Sequence, residues 1–339
     1  MFRISRLWRA IGLFCLSLIM LLLSAWLAMA WHTQQAFGSA NNMLIGIWLI
    51  FSLFAIFKLW QPQRKLHAVY THGLIVLMGV VWFLNIPAQQ ERLWQADVAK
   101  IMHYEKNGSI ITLHNVRNFN WRSQTDFDAR WETRQYDLNH ITGINVIASY
   151  WMGPQIAHTL VSFDFKDQTP LVFSIEIRKE KTEEFSAIGG FFRQFELSLI
   201  AADEKDIVYT RSNVRGEQVY FFPIQGISQH EMQALFLAYL AKSDSLRATP
   251  QWYNTLLSNC TTLIYSMAQK ATHNELPLDY RILASGYLPN YLHDVHALNP
   301  NWDMKTWYQK AHVNPRVIGK ESNSQEYSDL IRQGLPQPN

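Results

Sequence analysis

Residues 253–267 read Y-N-T-L-L-S-N-C-T-T-L-I-Y-S-M and hold Cys260, the only cysteine outside the first hydrophobic segment. Small polar residues (Ser258, Asn259, Thr261 and Thr262) flank the thiol, and Leu263, Ile264, Met267, Ala268 and Ala271 follow at helical spacing. This pattern predicts a helix whose first turn carries Cys260, N-capped by Asn259 or Ser258. The unpaired N–H groups and positive dipole end of such a turn stabilise a thiolate. The competing reading is a small residue buried at a helix start, a common state of free cysteine. The choice depends on whether the chain also supplies a base.

Outward from that stretch, the chain divides by composition. From Ala10 to Trp31 there is no charge, and a second apolar run, Met43–Trp60, is interrupted only by Lys58. A third covers about 66–86; His67 and His72 in its first turns make it the weakest. Each is long enough to cross a bilayer as a helix, and Trp8, Trp31, Trp60 and Trp82 lie at or near the ends, where aromatic belts form. A cleaved signal peptide is the alternative for the first run, but no small-residue cleavage pattern follows it and two further spans do. Arg3, Arg6 and Arg9 precede the first span, Lys58, Arg64 and Lys65 separate the second from the third, and residues 32–42 carry no Lys or Arg. The positive-inside rule then puts the N-terminus in the cytoplasm and everything after Pro87 outside it. The expected organisation is a membrane anchor over 1–87 (spans at about 8–31, 43–60 and 66–86), an extracytoplasmic domain over 88–312, and a polar extension over 313–339 with little core of its own. Residues 89–100 are expected to lie along the membrane surface.

With two cysteines, one of them (Cys15) inside a span, the soluble part holds no disulfide framework. An extracytoplasmic compartment oxidises exposed thiols, so a single cysteine there is either buried and inert or kept for its reactivity. The net charge of +3 owes much to membrane-flanking arginines and gives no nucleic-acid reading.

Within the soluble part, Ser109–Val116 and Ile141–Tyr150 read as strands. Residues 117–138 show neither period, which fits a packed irregular segment or a lid. Ala157–Phe165 alternates, with Ala157, Val161, Phe163 and Phe165 on one face and His158, Leu160, Ser162 and Asp164 on the other. Leu171–Ile177 alternates too, with Ser174, Glu176 and Arg178 on its polar face. A hairpin with Phe165 opposite Leu171 aligns the apolar rows and puts His158 on the face of Glu176 and Arg178. A carboxylate beside an imidazole fixes its tautomer and raises its basicity; the alternative is an ordinary solvated sheet face. Asp206–Ser212 and Gln218–Ile224 around N-V-R-G read as a hairpin with Gly216 at the turn. Ser228-x-x-Glu231 is a capping box that opens a helix with an apolar stripe of Met232, Leu235, Phe236, Tyr239 and Leu240. His293 and His296 have a metal-like spacing but no ligand cluster around them, so no metal and no cofactor is expected.

Strands with a His and a carboxylate, then a capped helix, then a helix-start Cys suit an α+β domain with an antiparallel sheet in which Cys260 and His158 meet across a cleft. Cys260 would attack a carbonyl, His158 would take its proton, and Glu176 or Ser174 would orient the imidazole. The Cys260 N–H, helped by Asn259 or Thr261, would hold the oxyanion, with Ser162 as a further supporting residue. The segments N-V-R-N-F-N-W-R (115–122), A-H-T-L-V-S-F-D-F (157–165), S-I-E-I-R-K-E-K-T-E (174–183), G-F-F-R-Q-F-E-L (190–197) and Y-N-T-L-L-S-N-C-T-T (253–262) resemble the extracytoplasmic domain of the Lnb-type lipoprotein N-acyltransferases, over most of 90–275. That family resembles the NlpC-type papain-like hydrolases in permuted order. The resemblance implies that Cys260 is the acyl-accepting nucleophile and His158 its base; Glu176 as third member comes from the hairpin alone. The order of parts differs, since three spans precede the domain here whereas membrane helices follow it in those enzymes. The expected function is a bacterial inner-membrane, periplasm-facing cysteine acyltransferase or thioester-forming hydrolase acting on phospholipid or lipoprotein acyl groups. A cell-wall peptidase or amidase with the same dyad, or a non-catalytic envelope scaffold, are the alternatives.

Overall fold

Three helices open the chain: α1 (Phe2–Gln34), α2 (Asn41–Trp60) and α3 (His67–Leu84). With the 3-10 turn Gly38–Ala40 that leads into α2, they cover the stretches Leu7–Gln34, Gly38–Trp60 and His67–Leu84, each long and apolar enough to cross a membrane, as the sequence predicts. The computed structural model describes residues 2–61, 66–272, 276–320 and 323–338, without the side chains of residues 2–6. Arg64 and Lys65, used above for orientation, lie outside the described residues, as do the side chains of Arg3 and Arg6. His72, the polar blemish in the third span, is buried with its Nε2 2.8 Å from Ser24 Oγ and its ring stacked on Trp48 at 5.0 Å. An intramembrane imidazole partnered in this way is tolerated among helices.

The chain forms two units, Met1–Ala88 with Ser186–Gln194, and Gln89–Phe185 with Phe195–Asn339. In the first, the 186–194 segment is held by its backbone: Gln34 Nε2 donates to Phe192 O (2.8 Å) and Arg193 O (2.7 Å). Arg193 Nη1 donates to Phe83 O (2.7 Å) and Ile86 O (3.0 Å), so a cation meets carbonyls that the end of α3 leaves unsatisfied.

The second unit is the α+β domain. Its strands are β1 (His103–Asn107), β2 (Ile110–Arg117), β3 (Asn120–Trp121), β4 (Phe127–Asp128), β5 (Trp131–Asp137), β6 (Ile141–Tyr150), β7 (Ala157–Phe165), β8 (Leu171–Arg178) and β9 (Glu196–Asp203), then β10 (Gln218–Pro223) after the short helix α4 (Glu204–Tyr209). The main sheet runs β1-β2-β9-β8-β7-β6-β10, with β5 also on β2, and is antiparallel except where β2 meets β9. Against it lie α5 (Gln229–Ala248) and α6 (Cys260–Thr272). The capping box of Ser228 and Glu231 forms as expected, and the whole predicted stripe of α5 is buried. Phe236 and Tyr239 pack on Phe163 and Phe173, so the apolar rows of β7 and β8 face this helix layer.

Several expectations are corrected. Segment 117–138 is mostly strand, because β5 pairs along β2, while β3 and β4 form a small sheet of their own. Asp206 and its neighbours are helical rather than the first arm of a hairpin: Asp203 caps α4, and β10 pairs with β6 instead. Gly216 does take the positive φ, +68°. Residues 89–100 pack on the domain itself, with Trp94 and Val98 buried and Gln95 N–H bonded to Lys179 O. Residues after 312 are not a loose extension. Val313 and Val317, with Tyr327 and Ile331 of the helix Ser324–Arg332, are buried in the main core. Arg332 reaches the carboxylates of Glu204 and Asp164. The polar surface of that tail hides a helical stripe too short to stand out in composition.

Candidate active site

Cys260 is the first helical residue of α6, and Asn259 is the cap: its Oδ1 accepts from Thr262 N–H at 2.9 Å and its Nδ2 donates to Thr255 O at 2.8 Å. Both ends of the Asn259 amide thus take part in holding the start of the helix. Thr261 Oγ1 lies 3.8 Å from Cys260 Sγ and 3.1 Å from Thr159 Oγ1, fastening the start of α6 to β7.

The sheet opens where this helix start meets it. β7 and β8 pair from Phe163↔Leu171 to Leu160↔Ser174, and the ladder stops there. Beyond that point the Thr159 N–H turns to the Cys260 sulfur. The register differs by two residues from the expected one: Phe165 pairs with Ile141 of β6, not with Leu171. A two-residue slip keeps every side chain on its face, so the hydrophobic pattern alone cannot detect it. It does change neighbours. His158 now faces Glu176 and Ser174, while Arg178 turns away to Val98 O (3.0 Å) and Ala99 O (2.8 Å) with its guanidinium over Trp94.

His158 Nε2 lies 2.8 Å from Ser174 Oγ and 3.2 Å from Glu176 Oε1, and Ser174 Oγ donates to the same carboxylate oxygen at 2.7 Å. With Nε2 so engaged, the other ring nitrogen is left for the Cys260 thiol, with which the imidazole is hydrogen-bonded. Burial and the charge of Arg211 both push His158 down, but Glu176 and Cys260 outweigh them and carry it up to about 9. Burial pushes the Cys260 thiol up, and the His158 charge and hydrogen bond, with Thr159 N–H and Thr261, bring it below the ordinary thiol value. These directions describe a thiolate–imidazolium pair. Burial would raise Glu176, yet His158 and Arg211 hold it well below the carboxylate range.

Residues 127–286 match the Lnb N-terminal periplasmic domain family, a stretch that takes in Cys260, His158, Ser174 and Glu176. With its three apolar helices, the chain is a membrane protein with a periplasmic domain. No curated protein and no solved structure matches it.

The domain adds charges that the sequence did not reveal. Arg211 Nη2 donates to Glu176 Oε1 at 2.7 Å, and its Nη1 donates to Glu217 Oε2 at 3.2 Å, where Ser149 Oγ also donates. A buried chain of alternating charge thus runs Cys260, His158, Glu176, Arg211, Glu217. Arg211 stands on a π-helical turn, Thr210–Val214, an irregularity frequent at functional sites and invisible to a period-2 or period-3.6 reading. Tyr253 is the other omission. Burial pushes its phenol up, and the charges of Cys260 and Glu176 add to this. One expected residue is elsewhere: Ser162 Oγ donates to Glu204, four residues along β7 from His158 and roughly 13 Å away. It belongs to the Asp164, Glu204 and Arg332 cluster. His293 Nε2 lies 3.2 Å from the backbone oxygen of Trp302.

Proposed function

We propose that the chain is a membrane-anchored periplasmic cysteine acyltransferase, or a thioester-forming hydrolase, in which Cys260 is the nucleophile, His158 the base and Glu176 the group that orients and charges the imidazole. The observation that carries this reading is the meeting of a helix-start thiol with a His whose far nitrogen is engaged by a carboxylate. The match to the Lnb N-terminal periplasmic domain family supports it, and so does the membrane anchor, which keeps the domain at high effective concentration beside a lipid donor. The order His before Cys is that of a permuted papain-like enzyme, and this kinship is part of the proposal.

In the first half-reaction the Cys260 sulfur attacks the carbonyl carbon of an acyl ester. A C–S bond forms, the ester C–O bond breaks, and the proton held by His158 passes to the leaving alkoxide. In the second, an amine or water attacks the thioester, its proton goes to His158, and the C–S bond breaks to regenerate the pair. The N–H of Cys260, in the first turn of α6 where N–H groups lack an intrahelical acceptor, would donate to the oxyanion. Arg211 acts through Glu176 as a positioning residue.

The test is intact-mass analysis of the full chain after incubation in phospholipid vesicles. A fatty-acyl adduct on Cys260, absent in Cys260→Ala and His158→Ala, is the expected result. No adduct with phospholipid or lipoprotein, together with cleavage of wall peptides, would replace this reading by a peptidase.

A further inference from the structure

Cys260 and His158 are only 6% and 9% exposed, so the surrounding chain governs access to them. Three exposed segments adjoin, along the chain, the strand and the helix that carry the pair. Trp151 and Met152 lie in the turn that leads into His158, Leu257 lies three residues before Cys260, and Leu278 and Tyr280 follow α6. All five are exposed, Leu257 by 78% and Leu278 by 86%. Their display is built in. Asn254 Oδ1 accepts from the N–H groups of Leu256 and Leu257, a turn that holds both side chains outward. Ser285 Oγ donates to Ala157 O at 2.7 Å and accepts from Ala157 N–H at 3.0 Å, and Gly286 N–H donates to Gln155 O. These bonds fasten the segment after α6 to the turn before His158. Trp151 also meets exposed Phe185 edge-on at 6.2 Å.

Exposed Trp, Met, Leu, Tyr and Phe side chains on the segments that flank a reactive pair in the chain, called the collar below, make an interaction surface. Chain connectivity points to its occupant. Phe185 is joined by a peptide bond to Ser186, where the chain enters the membrane unit. The domain also begins at Gln89, five residues beyond the end of α3, a reach of at most about 18 Å. Aromatic and aliphatic side chains on exposed turns of a domain joined this directly to membrane-spanning segments suit the boundary between headgroups and acyl chains.

We propose that the collar docks into the periplasmic face of the bilayer, so that the mouth of the Cys260 site opens on lipid rather than on water. The docking stands independently of catalysis; delivery of a lipid ester to Cys260 rests on the function proposed above.

The test uses the full chain in phospholipid vesicles, in a Cys15→Ser, Cys260→Ser background, with an environment-sensitive fluorophore on Leu257→Cys or Leu278→Cys. Gln168→Cys, exposed in the turn at the other end of β7, is the reference. Two separate collar positions guard against one variant failing to fold. The expected result at 257 and 278 is strong quenching by nitroxide-bearing lipid, with quenching by aqueous iodide at least about fivefold weaker than at 168. Iodide quenching equal to that at 168 overturns the proposal, and so does protection from both quenchers, which would indicate a protein partner. Docking without an acyl adduct on the native chain leaves this proposal standing and removes the acyl-transfer reading; an adduct without docking does the reverse.

Discussion

Replacing Glu176 by Gln removes one charge and almost no volume from the centre of the buried network. Its Oε1 lies 3.2 Å from His158 Nε2, a separation at which unit charges attract by about 5 kcal/mol at an effective dielectric of 20. Part of this is recovered, because Arg211 keeps its 3.2 Å contact with Glu217 and can lean toward it. A residue of about 2–3 kcal/mol corresponds to a thiolate–imidazolium population lower by roughly 30- to 150-fold. The sign follows from the directions of the two shifts. In the native chain Cys260 ionises below the ordinary thiol value and His158 keeps its proton up to about 9, so the pair is charged between those limits. Without Glu176, burial and Arg211 drive the imidazole down against Cys260 alone, and the thiol rises as the imidazolium is lost. The assay is the rate of Cys260 alkylation by iodoacetamide against pH, in a Cys15→Ser background. At pH 7 the Glu176→Gln chain should react at least about tenfold more slowly and recover only in alkali. Superimposable pH profiles for the two chains would refute the reasoning, since they would mean that Glu176 does not set the charge of His158.

Asn259→Ala removes the cap of α6 and should cost about 1 kcal/mol in thermal unfolding while slowing Cys260 alkylation, whereas Asn259→Asp, which keeps an accepting oxygen, should restore most of the stability. Arg332→Met strands the buried carboxylates of Glu204 and Asp164 and should cost about 3–5 kcal/mol, read as a lower denaturation midpoint with the Cys260 alkylation profile unchanged in the folded protein. Ser162→Ala should be far milder, about 1 kcal/mol, and should leave the alkylation profile alone, because its partner is Glu204 rather than the Cys–His pair.

The membrane anchor was legible because crossing a bilayer imposes length and apolarity on a continuous run, both of which are local properties. The caps of α5 and α6 were legible for a similar reason: a side chain three residues from an N–H completes the bond, whatever the rest of the fold does. Strand alternation gave the faces of β7 and β8, and so put His158 with Ser174 and Glu176 on one side of the sheet. The tail after 312 was misread because its buried residues, Tyr327 and Ile331, sit in a short helix whose composition is polar overall.

By itself, then, the sequence determined three spans, a Cys at a helix start, and a His on the polar face of a strand. Each of these rests on a pattern a few residues long. Tertiary structure alone decided that Glu176 rather than Arg178 stands across from the His, because a two-residue slip between β7 and β8 leaves every face unchanged and only long-range packing selects the register. It also decided where the ladder stops, which frees Thr159 N–H for the sulfur, and it brought Arg211 from a π-helical turn to the far side of Glu176. Charges distant in the chain pair only once the backbone between them is fixed, and no local pattern encodes that distance.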